Sequence, residues 1–380
     1  MNNNSSSFDT VVIGVGGMGS AACYQLASRG QKVLGLEQFD IPHTQGSSHG
    51  YTRIIRLAYY EHPSYVPLLK RAYELWTEIE HHYGEPLFYK TGSVDVGTAE
   101  SQVFKGSLES CLEHNLAHEV LSGESLNQRY PGYHVPANFM ALYQPNGGFL
   151  LPEKSTVAFV EAAHHFGAVI QAREKVESWR PLNEGVQVTT NRGSYTAGSL
   201  VITAGAWNRT FLPFLSDLAV PERQVLAWLQ PQKPEWFAPE QFPVFNMQVG
   251  TERYYGFPVF GVPGFKFGKY GHQREAGMPE TFDWEPNETD EALLRAYAAE
   301  FFPNGSGPTM SLKTCMFTNS PDDHFIIDLH PEYPQVSFAA GFSGHGYKFA
   351  SVIGEIMADL AIDQDSDHDI GLFHVDRFLS

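Results

Sequence analysis

The segment Gly14-Val15-Gly16-Gly17-Met18-Gly19 limits what this chain can fold into more than any other feature. Residues 8–14 before it form a short β-branched run, the pattern of a strand buried on both faces of a parallel sheet. Residues 20–29 read as a helix closed by Gly30, and 33–37 as a second buried strand ending in Glu37. In Gly14-x-Gly16-x-x-Gly19 the first glycine permits the tight turn. The second lets the backbone approach a pyrophosphate, and the third lets helix and strand pack closely. The helix N-terminus then turns its partial positive charge toward the phosphates. Glu37, 23 residues after Gly14, can accept both hydroxyls of an adenosine ribose and would repel a 2′-phosphate, which disfavours NADP. The unit is of the βαβ type and suits a dinucleotide; by itself it leaves FAD and NAD open.

The 380 residues allow two domains, or one large α/β domain with an elaborated insertion. With 42 % hydrophobic and 18 % charged residues, a sizeable core can form. The 25 basic and 43 acidic residues leave a formal net charge of −18, a surface that repels nucleic acid and anionic lipid. A local basic cluster then needs a local purpose, such as holding an anionic substrate group. No apolar run suits a membrane span, and residues 1–9 lack the pattern of a signal peptide, so a cytoplasmic protein is expected. Cys23, Cys111 and Cys315 are too few and too scattered for a disulfide framework. Neither a CxxC nor an HExxH motif is present, and no metal is expected. The pairs His81-His82 and His164-His165 read as exposed helix ends, because adjacent helical residues do not share a face.

Further along, the spacing predicts helices over 65–83, capped by Ser64 and stopped by Gly84, and over 102–115, 154–166 and 349–362. Strands are expected at 91–97, 168–171, 200–203, 325–328 and 336–340, with hairpin turns at 183–185 and 191–193. From about Pro221 the chain becomes dense in aromatics and prolines, more like a strand-rich substrate domain than a nucleotide-binding layer.

Several segments together resemble the monomeric sarcosine oxidase and N-methyltryptophan oxidase family, and the resemblance runs through nearly the whole chain. They are Pro42-His43-Thr44 with 46–56, Tyr254-Tyr255-Gly256-Phe257-Pro258, Cys315-Met316-Phe317-Thr318, His324-Phe325-Ile326-Ile327-Asp328 and 341–348. The resemblance implies an α/β, two-domain protein. A Rossmann-type FAD-binding domain of the glutathione-reductase type (1–90, 154–220, 320–380) is interleaved with a substrate domain on a mixed β-sheet (91–153, 221–319). It implies FAD held by a thioether on Cys315, with Gly14, Gly16, Gly19, Glu37, Gly205, Gly344, His345, Gly346 and Lys348 as further cofactor positions.

The same resemblance makes Arg56 and Lys348 a clamp for the substrate carboxylate. It sets Arg53 and His49 beside the flavin, Lys266 over it as the oxygen-activating cation, and Glu61 and Tyr255 in the pocket. Lys269, three residues after Lys266, would point to the opposite face of the strand. Tyr270 replaces a family histidine, Phe317 a tyrosine and Asn246 a usually apolar residue, so the wall around the amine substituent is altered. The expected reaction is oxidation of a secondary (N-methyl) amino acid by a monomeric enzyme, with O₂ reduced to H₂O₂ and the imine hydrolysed to formaldehyde and a primary amino acid. Its partners are then a small amino acid and O₂, with no nucleic acid and no membrane. Oxidation of a cyclic amino acid such as L-pipecolate or L-proline is the alternative on the same fold. From other classes, an NAD-dependent dehydrogenase and a non-catalytic flavin-binding protein are the alternatives.

Overall fold

The computed structural model describes residues 7–378. The strand Ser7–Ile13 lies inside an eight-stranded sheet, flanked by parallel strands Val33–Leu36 and Ser194–Ile202. Val169–Gln171 continues the sheet beyond Val33–Leu36, and Tyr333–Ala340 adds in parallel to residues 200–202. Side chains alternate strictly between two cores. Val12, Val33, Val201 and Ala339 point to the helices Gly17–Ser28, Tyr65–Tyr83, Pro152–His165 and Ala350–Ile362. Val11, Ile13, Leu34, Leu36, Leu200, Ile202 and Phe338 point to the other face. Burial on both faces explains why these strands are apolar throughout. The antiparallel strands Val176–Pro181, Val186–Thr190 and Ser194–Ile202 turn at the two expected hairpins.

The second eight-stranded sheet runs in the order Thr309–Asn319, Val220–Leu229, Phe265–Lys269, Glu252–Phe257, Val244–Val249, Ser93–Thr98, Phe139–Gln144 and Glu119–Ser122. All of its pairs are antiparallel except Val244–Val249 with Ser93–Thr98. One face packs Phe242, Phe245, Phe265 and Phe302 against the helix Glu288–Phe301. Across the sheet, Asp95, Asn246, Tyr255, Gly268 and Leu226 stand in register, partner opposite partner, and so share a face. A small sheet of Arg53–Ile55, Gly148–Leu150 and Phe88–Tyr89 completes the strands named in these sheets.

Boundaries depart from expectation where backbone chemistry overrides spacing. The first helix starts at Gly17, three residues early, because the glycine motif itself supplies its first turn. Pro152 opens the helix predicted from 154, as proline does at a first helical position. The helix predicted to 115 ends at Glu113, and Asn115 takes a left-handed conformation (φ 53°). The strand at 8–14 stops at Ile13 because Gly14 turns at φ 86°. The strands Phe139–Gln144 and Glu119–Ser122 were not expected from the sequence.

Gly19 faces Gly14 so closely that a Cβ on it would lie 1.8 Å from the Gly14 carbonyl oxygen. Gly193, in a hairpin turn, has nothing within 4 Å of the equivalent point. Gly19→Ala should therefore lower unfolding free energy by about 1–3 kcal/mol or more, whereas Gly193→Ala should stay within about 0.5 kcal/mol. Denaturant unfolding of both variants checks this, and equal effects would contradict the packing role.

Candidate active site

A deep cleft opens at the carboxyl ends of Ser7–Ile13 and Val33–Leu36, the usual ligand position in an open α/β sheet. Gly14, Gly16 and Gly17 line it at the start of the first helix, which has no side-chain cap and no acidic residue in its first turn. That leaves the positive helix end open to an anion. The Glu37 carboxylate lines the same cleft, fixed by the amides of Val15 (2.9 Å) and Phe39 (3.0 Å). Gly205, Gly344 and Gly346 line it too. An uncapped helix terminus beside a buried carboxylate at the end of the second strand fits a dinucleotide pyrophosphate and its ribose.

Gly19 does not line the cleft and makes the close helix–strand contact expected of the third glycine of the motif. Ser48 was quoted in the resemblance but given no role. Its Oγ accepts from the Gly17 amide at 3.0 Å, tying the 46–50 loop to the glycine turn. Ser47 Oγ donates to the Met316 carbonyl at 2.8 Å, tying the same loop to the strand that carries Cys315.

A second, smaller cavity adjoins the cleft, and Arg53, Phe317, Gly344 and Tyr347 line both. Arg56, Asn246, Tyr255, Tyr270, Cys315, His345 and Lys348 line the smaller one. Ten of the expected substrate, catalytic and cofactor positions thus meet in one chamber. His345 and Lys348 belong to this chamber rather than to the dinucleotide cleft.

Arg56 is 1 % exposed. Its Nη2 donates to both Glu61 oxygens, at 3.0 and 2.8 Å, and its Nη1 to the Ala58 carbonyl. Its Nε lies 3.9 Å from Asp95 Oδ1 and has no hydrogen-bond partner. Burial alone would raise the Glu61 carboxyl, but Arg56, His345 and Lys348 draw it down to about 2. Lys348 Nζ donates to the His345 carbonyl at 2.6 Å. Burial, and next the Arg56 charge, push this ammonium down to about 7. Glu61 itself stands behind Arg56 and is not among the lining residues.

On the cleft side, Arg53 Nη2 approaches Cys315 Sγ at 3.6 Å and donates to the Ser47 carbonyl at 2.8 Å. The partly buried Tyr255 ring lies 5.0 Å from Tyr270, and Tyr270 lies 5.6 Å from Phe317. Tyr255 needs the glycine opposite it, since a Cβ on Gly268 would sit 2.7 Å from its hydroxyl. Burial pushes both phenols up, Tyr270 to about 12.

Lys266 lines neither cavity. Its Nζ donates to the Gly50 carbonyl (2.6 Å), the Thr52 carbonyl (2.8 Å) and Thr52 Oγ1 (2.8 Å), three acceptors for three ammonium protons. Burial, then Arg53, pushes it well below its ordinary value. His49 is also buried off both cavities, its Nε2 without a partner, and burial followed by Arg53 lowers it to about 4. Lys269 points away, pairing with Glu252 at 2.6 Å. Among the described residues no three His, Cys, Asp or Glu gather as metal ligands, and no helix is long and apolar enough to cross a membrane.

Comparison with known proteins adds four likenesses. A family described as FAD dependent oxidoreductase matches residues 9–360. The monomeric sarcosine oxidase of Bacillus sp. (strain B-0618) is 41 % identical over 378 residues, 98 % of this chain and 97 % of that protein. The N-methyl-L-tryptophan oxidase of Salmonella enteritidis PT4 is 35 % identical over 378 residues, 98 % of this chain and 99 % of that one. Among solved structures, L-proline dehydrogenase from P. horikoshii superposes with a TM-score of 0.84 at 23 % identity, covering 99 % of this chain and 98 % of that chain, a likeness of fold.

The lowered Glu61 carboxyl has a consequence for acid stability. Its folded value, about 2, lies below the ordinary 4.5, so its contribution is full above pH 4.5 and is lost as pH falls toward 2. That contribution is roughly 3 kcal/mol. Glu61→Gln should lower stability at pH 7 and flatten the loss between pH 4.5 and 2, as read by denaturant midpoints across that range. An acid limb as steep as the parent's would remove Glu61 from its cause.

Proposed function

The chain belongs to the FAD dependent oxidoreductase family and is kin to its sarcosine oxidases, and from that premise we propose that it oxidises a small secondary α-amino acid, N-methyl amino acids first. Membership resolves for FAD the choice that the glycine motif left open. The observation that carries the reading is the chamber in which Arg56 and Lys348 sit beside Cys315, one wall away from the dinucleotide cleft.

Bound FAD supplies the two-electron acceptor and, on reoxidation by O₂, the source of H₂O₂. The remaining chemistry falls to the chain. Arg56 and Lys348 hold the substrate carboxylate at two points in a dry pocket. Their positive charge disfavours an ammonium next to them, which favours the neutral amine that oxidation requires. Tyr255, Tyr270 and Phe317 exclude water from the amine side. Gly14, Gly16, Glu37, Gly205, Gly344 and Gly346 would cradle the cofactor. Cys315, with the Arg53 guanidinium 3.6 Å from its Sγ, would hold it through a thioether. Lys266, anchored on the Gly50 and Thr52 carbonyls, would in its protonated form stabilise negative charge developing on oxygen. The division into a cofactor domain (1–90, 154–220, 320–380) and a substrate domain (91–153, 221–319), and action as a cytoplasmic monomer, belong to the same proposal.

Peroxide release from a panel of N-methyl and cyclic amino acids, with formaldehyde measured alongside, tests the function. N-methyl substrates should yield both products, and Lys348→Met should weaken kcat/KM about ten- to a hundredfold for loss of a charge-assisted contact. Peroxide from cyclic substrates alone would move the enzyme to ring amines, and no peroxide from any member would end the oxidase reading.

The covalent link has its own test. Acid-precipitated protein should keep its yellow colour in the pellet, and Cys315→Ala should release it to the supernatant. Colour that washes out of the parent protein removes the thioether.

A further inference from the structure

Asn246 is an amide in the wall of the substrate chamber, and its orientation is fixed from behind. It sits on Val244–Val249, opposite Asp95 on one neighbouring strand and Tyr255 on the other. It is 2 % exposed and lines the chamber. Its Nδ2 donates to Asp95 Oδ1 at 2.8 Å. Asp95 is 1 % exposed, accepts from Ser107 Oγ at 2.5 Å through Oδ2, and has Arg56 Nε 3.9 Å from Oδ1. Two hydrogen-bond donors and one guanidinium charge therefore converge on this carboxylate. An ionised carboxylate only accepts, so it meets the NH₂ end of the amide and never the carbonyl end. Burial holds the Asp95 carboxyl above its ordinary value, the Glu61 charge adding to the rise and Arg56, Ser107 and Asn246 opposing it.

Nδ2 is committed to Asp95 and Asn246 lines the chamber, which leaves Oδ1, the other end of the amide, without a protein hydrogen bond among the described residues. We infer that Asn246 selects the substrate: its Oδ1 accepts a hydrogen bond from a hydroxyl or amide N–H carried by the group of the amino acid that reaches this wall. The inference rests on the chamber being a carboxylate-binding substrate site. The chamber lining includes Ile54, Leu226, Phe257 and Phe317, which carry no donor, and Tyr255 and Tyr270, whose hydroxyls make no hydrogen bond to this oxygen among the described residues. A purely apolar substituent would bury Oδ1 unpaired, and a site built around a hydrogen bond rejects the analogue that lacks it. Sarcosine, whose only substituent is a methyl group, leaves the acceptor unused.

Binding of acids that cannot be oxidised separates this inference from the oxidase reading, because it needs no turnover. Two pairs serve, each a hydroxyl against its near-isosteric methyl. (2-Hydroxyethoxy)acetate against propoxyacetate probes the side of the amine substituent, and 3-hydroxy-2-methoxypropanoate against 2-methoxybutanoate probes the α-carbon side. Calorimetry on the FAD-loaded protein should show the hydroxyl member of at least one pair binding about tenfold more tightly. Asn246→Leu, of similar size, should abolish or reverse that preference. Should that variant fail to hold FAD, Asp95→Asn takes its place: the amide at 246 is then free to turn, and the preference should shrink. No hydroxyl preference in either pair, or a preference that survives the substitution, overturns the inference whether or not peroxide is formed from any amine.

Discussion

The buried Arg56 guanidinium is the interaction on which the two halves of this molecule depend. A charge that deep carries a heavy desolvation penalty and persists only when surrounded by partners. Its partners come from different parts of the fold. Arg56 follows the strand Arg53–Ile55 of the small sheet. Glu61 lies in the segment leading to the helix Tyr65–Tyr83, which packs on the first large sheet. Asp95 belongs to Ser93–Thr98, inside the second large sheet. One side chain thus ties three units at the place where cleft and chamber meet, and its guanidinium lies 4.6 and 4.4 Å from the Tyr59 and Tyr60 rings.

That placement decides which neighbours can tune the chamber. Glu61 and Asp95 balance the charges of Arg56 and Lys348 locally, although the whole chain is strongly acidic. Lys348 is anchored through its backbone carbonyl, which accepts from Trp76 Nε1 at 2.8 Å, and through its own Nζ on the His345 carbonyl. His345 is in turn fixed on both ring nitrogens, by the Tyr59 hydroxyl at 2.5 Å and the Asp323 carbonyl at 2.8 Å. The chamber's cation is therefore rigid before any ligand arrives, which reduces the ordering that binding must pay in entropy.

How much of this could be read from the sequence depended on how local the physics is. The glycine turn, the first two strands and Glu37 lie within thirty residues of one another, and their roles follow from local sterics and from the direction of a helix dipole. The long amphipathic helix Tyr65–Tyr83 was legible for the same reason. Arg56, Lys348 and Cys315 were found through resemblance, since nothing in their immediate neighbours marks an arginine as buried or a cysteine as lying beside one. Asp95 was not legible at all. Its significance arises from the parallel register of Ser93–Thr98 with Val244–Val249, which joins it to a residue 151 positions away. Gly268 was missed likewise, because its need comes from a ring on the adjacent strand.

The Lys348 value ties these features together. Burial and Arg56 bring this ammonium to about 7, so near neutrality it is poised between charged and neutral forms. A carboxylate entering the chamber adds negative charge beside it and draws its pKa back toward the ordinary value. On the proposed clamp, binding of an acid would therefore be coupled to uptake of a proton by Lys348. Glu61 and Asp95 already favour the charged lysine, so their presence limits how far the empty chamber can discharge it. Had those carboxylates been absent, Arg56 and burial together would leave Lys348 neutral, with one point of attachment lost. In the proposed site, a two-point grip on an anion would therefore rest on the Glu61 and Asp95 carboxyls behind Arg56 and Lys348.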